Sequence, residues 1–230
     1  MKTLNSRILN TILSLIISVS FIGCKKDVSK TPTTITDIDG NTYNAIVIGT
    51  QVWMGENLRV TKFSNGDQIP DSPAGVAWDT VTTPASSINP MVNNYASIYG
   101  RQYNWFAVSD SRNLCPAGWH VSTDAEWTQL TDYLGGDSIA GGKLKESGNL
   151  YWNSPNTGAT NESGFASRPG GFRSLYGGVV LMPGDIGSWW TSTGYDSTNA
   201  WNRFMFSEDE TVSRVDNDKK SGFSVRCVKD

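Results

Sequence analysis

Apolar residues recur at regular spacing in only short stretches, and glycine or asparagine interrupts most of them. The clearest helical spacing is at Trp127, Leu130 and Leu134, positions i, i+3 and i+7 of one face. Thr123 and Glu126 mark its start with the spacing T-x-x-E. A threonine cap accepts from the N–H three residues on, and the glutamate reaches back to the cap's own N–H. Gly135-Gly136 predicts the stop, where a left-handed residue is needed. A second short helix is expected within Tyr99 to Val108, because Tyr103, Phe106 and Ala107 share an i, i+3, i+4 face with Trp105 beside it.

Strand patterns are shorter. Asp37 to Tyr43 reads as strand, turn at Asp39-Gly40 and strand, since Asp-Gly suits a type I′ hairpin. Tyr43 to Ile48 continues as a strand, Gly49-Thr50 turns, and Gln51 to Met54 returns. Residues 64–94 are the least regular and hold Pro70, Pro73, Pro84 and Pro90. So long a stretch without structure is often functional, but a variable surface excursion is the favoured reading. From Gly135 onward glycine and asparagine dominate. Expected strands there are Phe165 to Ser167, Gly171 to Ser174, Ser188 to Ser192, Trp201 to Ser207, Thr211 to Val215 and Phe223 to Val228, the last three spaced as a meander. In the final one Phe223, Val225 and Cys227 alternate against Ser224 and Arg226.

The N-terminus reads as an address. Lys2 and Arg7 precede a mostly apolar run from Ile8 to Ile22, short for a membrane span. Phe21-Ile22-Gly23-Cys24 resembles a bacterial lipobox. That makes 1–23 a lipoprotein signal peptide and Cys24 the lipidated first residue of the mature chain. An ordinary signal peptide, or an uncleaved anchor with an incidental cysteine, is the alternative. Lys25 after the cysteine points to the outer membrane by resemblance to sorting rules. Residues 24–33 form a polar tether of roughly 30 Å when stretched, and one domain occupies 34–230. Loss of Lys2 and Arg7 moves the net charge from −3 to −5. With no basic stripe, nucleic acid is excluded as a partner.

Several blocks carry a family resemblance. Asn113-Leu114-Cys115-Pro116-Ala117-Gly118-Trp119-His120-Val121-Ser122-Thr123-Asp124-Ala125-Glu126-Trp127 is similar to the signature of the Fibrobacter succinogenes major paralogous domain. Ile48 to Arg59, Tyr99 to Val108, Gly141 to Lys145, Asn161 to Phe165, Trp189 to Thr193 and Gly222 to Val228 agree in order. The resemblance covers the chain from about Thr34 on. It implies an α+β domain of the C-type lectin-like fold, with two short helices, short antiparallel strands and long loops, related to formylglycine-generating enzymes. Those relatives use active-site cysteines, and no matching reactive pair exists here, so that activity is not carried over.

Once Cys24 is lipidated, Cys115 and Cys227 are the remaining cysteines. An exported chain most simply pairs them; two buried free thiols are the alternative. The single histidine, His120, would have to serve any serine or cysteine triad, and its setting reads as a structural hydrogen-bonder. Multi-histidine and cysteine-rich zinc sites are excluded. Asp37-x-Asp39-Gly40 superficially opens a calcium loop, but its twelfth position is Ile48, which has no side-chain oxygen. Neither a Glu-Pro-Asn loop nor a Trp-Asn-Asp is present, because Arg203 follows Trp201-Asn202. No cofactor and no metal are expected.

Paired carboxylates remain open for glycoside hydrolysis, with Glu146, Glu162, Asp185 and Asp196 as candidates that no spacing singles out. Nine tryptophans are many for this length, and most are expected in the core. Trp189-Trp190 differ, since adjacent strand residues point to opposite faces. One of them is a candidate flat platform for a sugar ring, with Trp152 (beside Tyr151) and Trp201 as weaker candidates. The expected function is therefore non-catalytic binding by a lipid-anchored envelope protein. The ligand is carbohydrate or another surface component. A module that binds protein partners is the first alternative, and a loop-based glycoside hydrolase is the second.

Overall fold

A computed structural model describes residues 34–72, 76–176 and 180–230. The lipobox cysteine Cys24 and the tether lie outside the described residues. Within them the domain is α+β and mostly sheet, with all named strand pairs antiparallel.

The chain opens with β1 (Thr34–Thr36), β2 (Thr42–Ile48) and β3 (Gln51–Met54). The β2–β3 hairpin turns at Gly49-Thr50 as expected, with Ile48 opposite Gln51. The first turn begins earlier than its sequence implied. Asp37 leaves the strand, and its Oδ1 accepts from the N–H groups of Asp39 and Asn41, each at 2.9 Å. A carboxylate thereby replaces part of the backbone ladder.

The irregular region contributes β4 (Ser86–Ser87), which pairs with β5 (Gln102–Tyr103). Trp78 is fully buried and Ile69 nearly so. The side chain of Asp71 pairs with Arg101. The stretch is thus stitched into the fold at several points. The expected helix over 99–108 is divided. α1 (Tyr95–Tyr99) ends where it was to begin, β5 intervenes, and α2 (Trp105–Val108) starts on an Asn104 side-chain cap.

β6 (Trp119–Val121) leads into α3 (Asp124–Tyr133), where both bonds of the Thr123–Glu126 capping box form. Trp127, Leu130 and Leu134 are buried. A further helix, α4 (Asp137–Leu144), follows at once, so there are four helices among the described residues rather than two. The stretch from Gly135 on, where glycine and asparagine dominate, carried no helix expectation. A Cβ on Gly141 would meet Glu210 O at 2.6 Å, and one on Gly142 would meet Gly158 O at 2.5 Å. These glycines serve close approach of helix to backbone, not a turn.

β7 (Phe172–Arg173) pairs with β8 (Val180–Leu181). Next come β9 (Ile186–Gly194), β10 (Asn199–Phe206) and β11 (Ser213–Asp218), a three-stranded meander. The expected meander is therefore shifted by one strand. The last strand, β12 (Cys227–Lys229), instead inserts between β3 and β6, completing the sheet β1-β2-β3-β12-β6. Phe165 to Ser167 forms no strand, only an isolated bridge from Ser167 to Lys145.

β9 separates two cores. Trp190 belongs to the cluster with Tyr43, Leu58, Tyr103 and Phe223, and Trp189 to the cluster with Trp53, Trp127, Trp152 and Phe165. Gly187 leaves room for the Trp189 ring, since a Cβ there would fall 2.1 Å from it. Cys115 and Cys227 form a disulfide across 112 residues, tying the approach to β6 to the last strand.

Candidate functional site

The tryptophans expected to hold a ligand are mostly core. Trp189, Trp190 and Trp152 are 0, 0 and 1% exposed. Trp189 Nε1 donates to Asn57 Oδ1 at 2.8 Å, and Trp190 Nε1 to Tyr103 O at 2.9 Å. Trp152 Nε1 donates to Ser167 O at 2.8 Å. No ring face is left for a sugar at these three positions: β9 is covered on both sides at Trp189 and Trp190, and Trp152 packs into the same core as Trp189. Trp201 is half-buried, with the Arg214 guanidinium 3.4 Å from its ring centroid and Tyr195 edge-on at 4.8 Å. Arg214 already occupies one face.

The candidate carboxylates do not assemble. Glu162 pairs with Lys143, and Asp185 accepts from Asn153. Asp196 accepts from the backbone of Thr198 and Asn199, which lowers its pKa. Asp37 and Asp39 are likewise committed to protein donors. Asp37 Oδ2 accepts from Tyr43 at 2.7 Å, and Asp39 Oδ2 from Thr61 N at 2.5 Å. Among the described residues no group of three or more His, Cys, Asp or Glu is placed to hold a metal ion.

His120 lies between two carboxylates. Its Nδ1 is 2.6 Å from Asp230 and its Nε2 is 2.8 Å from Glu126. Partial burial works against its charge, yet the hydrogen bonds of Asp230 and Glu126 outweigh it and raise the pKa. The other oxygen of Glu126 caps α3 at Thr123 N, 2.7 Å away. His120 is therefore tied to the helix start.

What the structure does assemble is a cleft of about 460 Å³ that no local motif announced. β2 supplies Asn44 and Ile46, the segment after β3 supplies Glu56, Asn57 and Arg59, and α1 supplies Ser97 and Ile98. Glu146 and Ser147 follow α4, and Asn161, Arg168 and Arg226 complete it. The only advance signal was the block resemblance, since four of the quoted blocks meet here: 48–59, 99–108, 161–165 and 222–228.

Its polar groups are held in place. Glu56 accepts from Asn44 N at 2.8 Å and Nδ2 at 2.6 Å. Glu146 accepts from Arg168 Nε at 2.6 Å, while the Arg168 guanidinium lies 4.0 Å from the Tyr151 ring centroid. Arg226 was expected on the outer face of its strand but is 1% exposed. Its Nε donates to Asn57 Oδ1 at 2.7 Å. Nη1 donates to Met54 O and Phe165 O at 2.8 and 2.9 Å, and Nη2 to Ala166 O at 3.2 Å. Burial pushes its pKa down to about 9, so it stays cationic at neutral pH.

Residues 46–229 match the Fibrobacter succinogenes major domain. The chain belongs to that family. The Fibrobacter succinogenes major domain here takes in the end of β2, β3 to β12, the disulfide and every residue of the cleft except Asn44, which precedes the match along with β1. Comparison with curated proteins and with solved structures gave no match. Among the described residues no helix is long and apolar enough to cross a membrane.

Proposed function

We propose that this Fibrobacter succinogenes major domain is a non-catalytic binding module of the C-type lectin-like class. We propose also that lipid on Cys24 holds it to the outer membrane, with the tether carrying the domain clear of the headgroups. The ligand is a saccharide, taken in the cleft between β2, α1 and the Arg226 segment that leads into β12. The supporting observation is convergence. Amide, hydroxyl, carboxylate and guanidinium groups meet in one hollow, and Glu56, Asn57, Glu146, Arg168 and Arg226 are already fixed by their own hydrogen bonds. Prefixed polar groups around a few apolar ones such as Ile46 and Ile98 are what orients a polyhydroxylated ligand at low entropic cost.

A glycan-array screen of the protein tests this, with Ser97→Trp beside it. Ser97 is exposed on the rim, so a tryptophan there blocks the cleft without entering the core. Array binding that Ser97→Trp abolishes supports the reading; binding that the variant leaves intact moves the site elsewhere, and no binding by folded protein sinks it.

A protein partner is the second reading, supported by Val47 and Tyr133 at 61 and 66% exposed around the β2–β3 turn. Hydrolysis has weaker support. Glu56 and Glu146 share the cleft, but Asn44 and Arg168 already engage them.

A further inference from the structure

The charges of the cleft do not balance by contact. Three guanidinium groups, from Arg59, Arg168 and Arg226, share it with two carboxylates. Among the described residues, only Arg168 of the three has a carboxylate within ion-pair distance. Arg59 donates to Asn41 Oδ1 at 3.2 Å and Thr42 O at 3.0 Å, both neutral acceptors. Arg226 is almost wholly buried, and its four bonds also end on neutral oxygens. A guanidinium has five N–H groups, so one on Nη2 is left over, in a residue that lines the cleft. Glu56 and Glu146 act on Arg226 through space, without contact.

A buried cation lacking a contact counter-ion is costly, and an anion with matching hydrogen bonds lowers that cost further than neutral acceptors do. Four neutral acceptors hold the Arg226 fork rigid but leave its charge unmatched. That arrangement suits an acidic group brought by the ligand.

We infer that the cleft selects an anionic saccharide, whose carboxylate or sulfate group is bound by Arg226 Nη2 and by Arg59. The inference rests on the saccharide reading of the same cleft. Glu56 and Glu146 limit the acceptable ligand to one with its acid group on the arginine side and hydroxyls toward the carboxylates.

The test is binding of the purified protein to matched glycan pairs: uronate oligosaccharides and their methyl esters, sialylated and desialylated chains, sulfated and desulfated chains. The acidic member of at least one pair should bind tenfold or more tightly than its neutral partner, with affinity falling as salt rises. Arg59→Gln, at a half-buried position, should lose about tenfold for the acidic member and little for the neutral one. Its thermal unfolding shows that the fold persists. Preference confined to the uronate and sialyl pairs assigns a carboxylate, and preference confined to the sulfated pair assigns a sulfate. Equal binding of acidic and neutral members overturns the inference while leaving the saccharide reading intact. Absence of binding to every pair overturns both.

Discussion

Asn57 Oδ1 lies 2.7 Å from Arg226 Nε and accepts from Trp189 Nε1 as well, at 2.8 Å. The Asn57 amide donates to Tyr99 O at 2.8 Å. One carboxamide thus joins the cleft arginine to the core and to the end of α1. Asn57→Ala leaves two buried donors without an acceptor, each costing about 1–3 kcal/mol. Urea unfolding should show a loss of roughly 3 kcal/mol. A loss below about 1 kcal/mol would mean that water replaces the amide.

Trp189→Ala and Trp190→Ala should each destabilise by roughly 3–5 kcal/mol, as expected for a large buried ring. Trp201→Ala should cost clearly less, since its ring is only half-buried. Denaturant midpoints rank the three. Any loss of ligand binding in the first two follows unfolding, so it appears only where the folded fraction falls.

Removing the disulfide with Cys115→Ser and Cys227→Ser together should cost about 2–5 kcal/mol, since the bond closes a loop of 112 residues. Thermal unfolding with and without reductant measures it. An unchanged midpoint would assign the bond no role in stability.

Gly142→Ala places a methyl group 2.5 Å from Gly158 O. Overpacking of this kind costs about 1–3 kcal/mol, although alanine is the better helix former. A stabilised Gly142→Ala protein would show that α4 can move away from the 158 loop.

His120 carries the expected pH dependence. Its folded pKa is raised, so its pairing with Asp230 and Glu126 contributes in full below the unfolded value of about 6.5. That contribution is lost as pH rises through the higher folded value. Stability should therefore fall on going from pH 6 toward 8, and His120→Gln should flatten that fall. An identical slope in the variant would exclude His120 as its source.

Local chemistry was legible in the sequence. The Thr123–Glu126 box, the Gly49-Thr50 turn and the Cys115–Cys227 pair all depend on neighbours or on counting. Features set by distant chain were not. Gly141-Gly142 looks like a helix breaker until the backbone of Gly158 and Glu210 is placed against it. Arg226 looks outward-facing until the segment 165–166 covers it. Trp189-Trp190 looks like a half-exposed pair because alternation assumes a sheet with one wet face; β9 has none. The cleft draws on residues from Asn44 to Arg226, and no window along the chain contains it.

The Cys115–Cys227 bond also has a mechanical side. It encloses α3, α4 and the whole β9–β11 meander. Tension applied between a point before Cys115 and a point after Cys227 cannot draw that segment out while the bond is oxidised. Its 112 residues would otherwise release about 390 Å of chain. A pull on the intact protein can lengthen only the part outside the loop, so α3, α4 and the meander stay together as a short block while the bond is oxidised, and reduction frees them to extend.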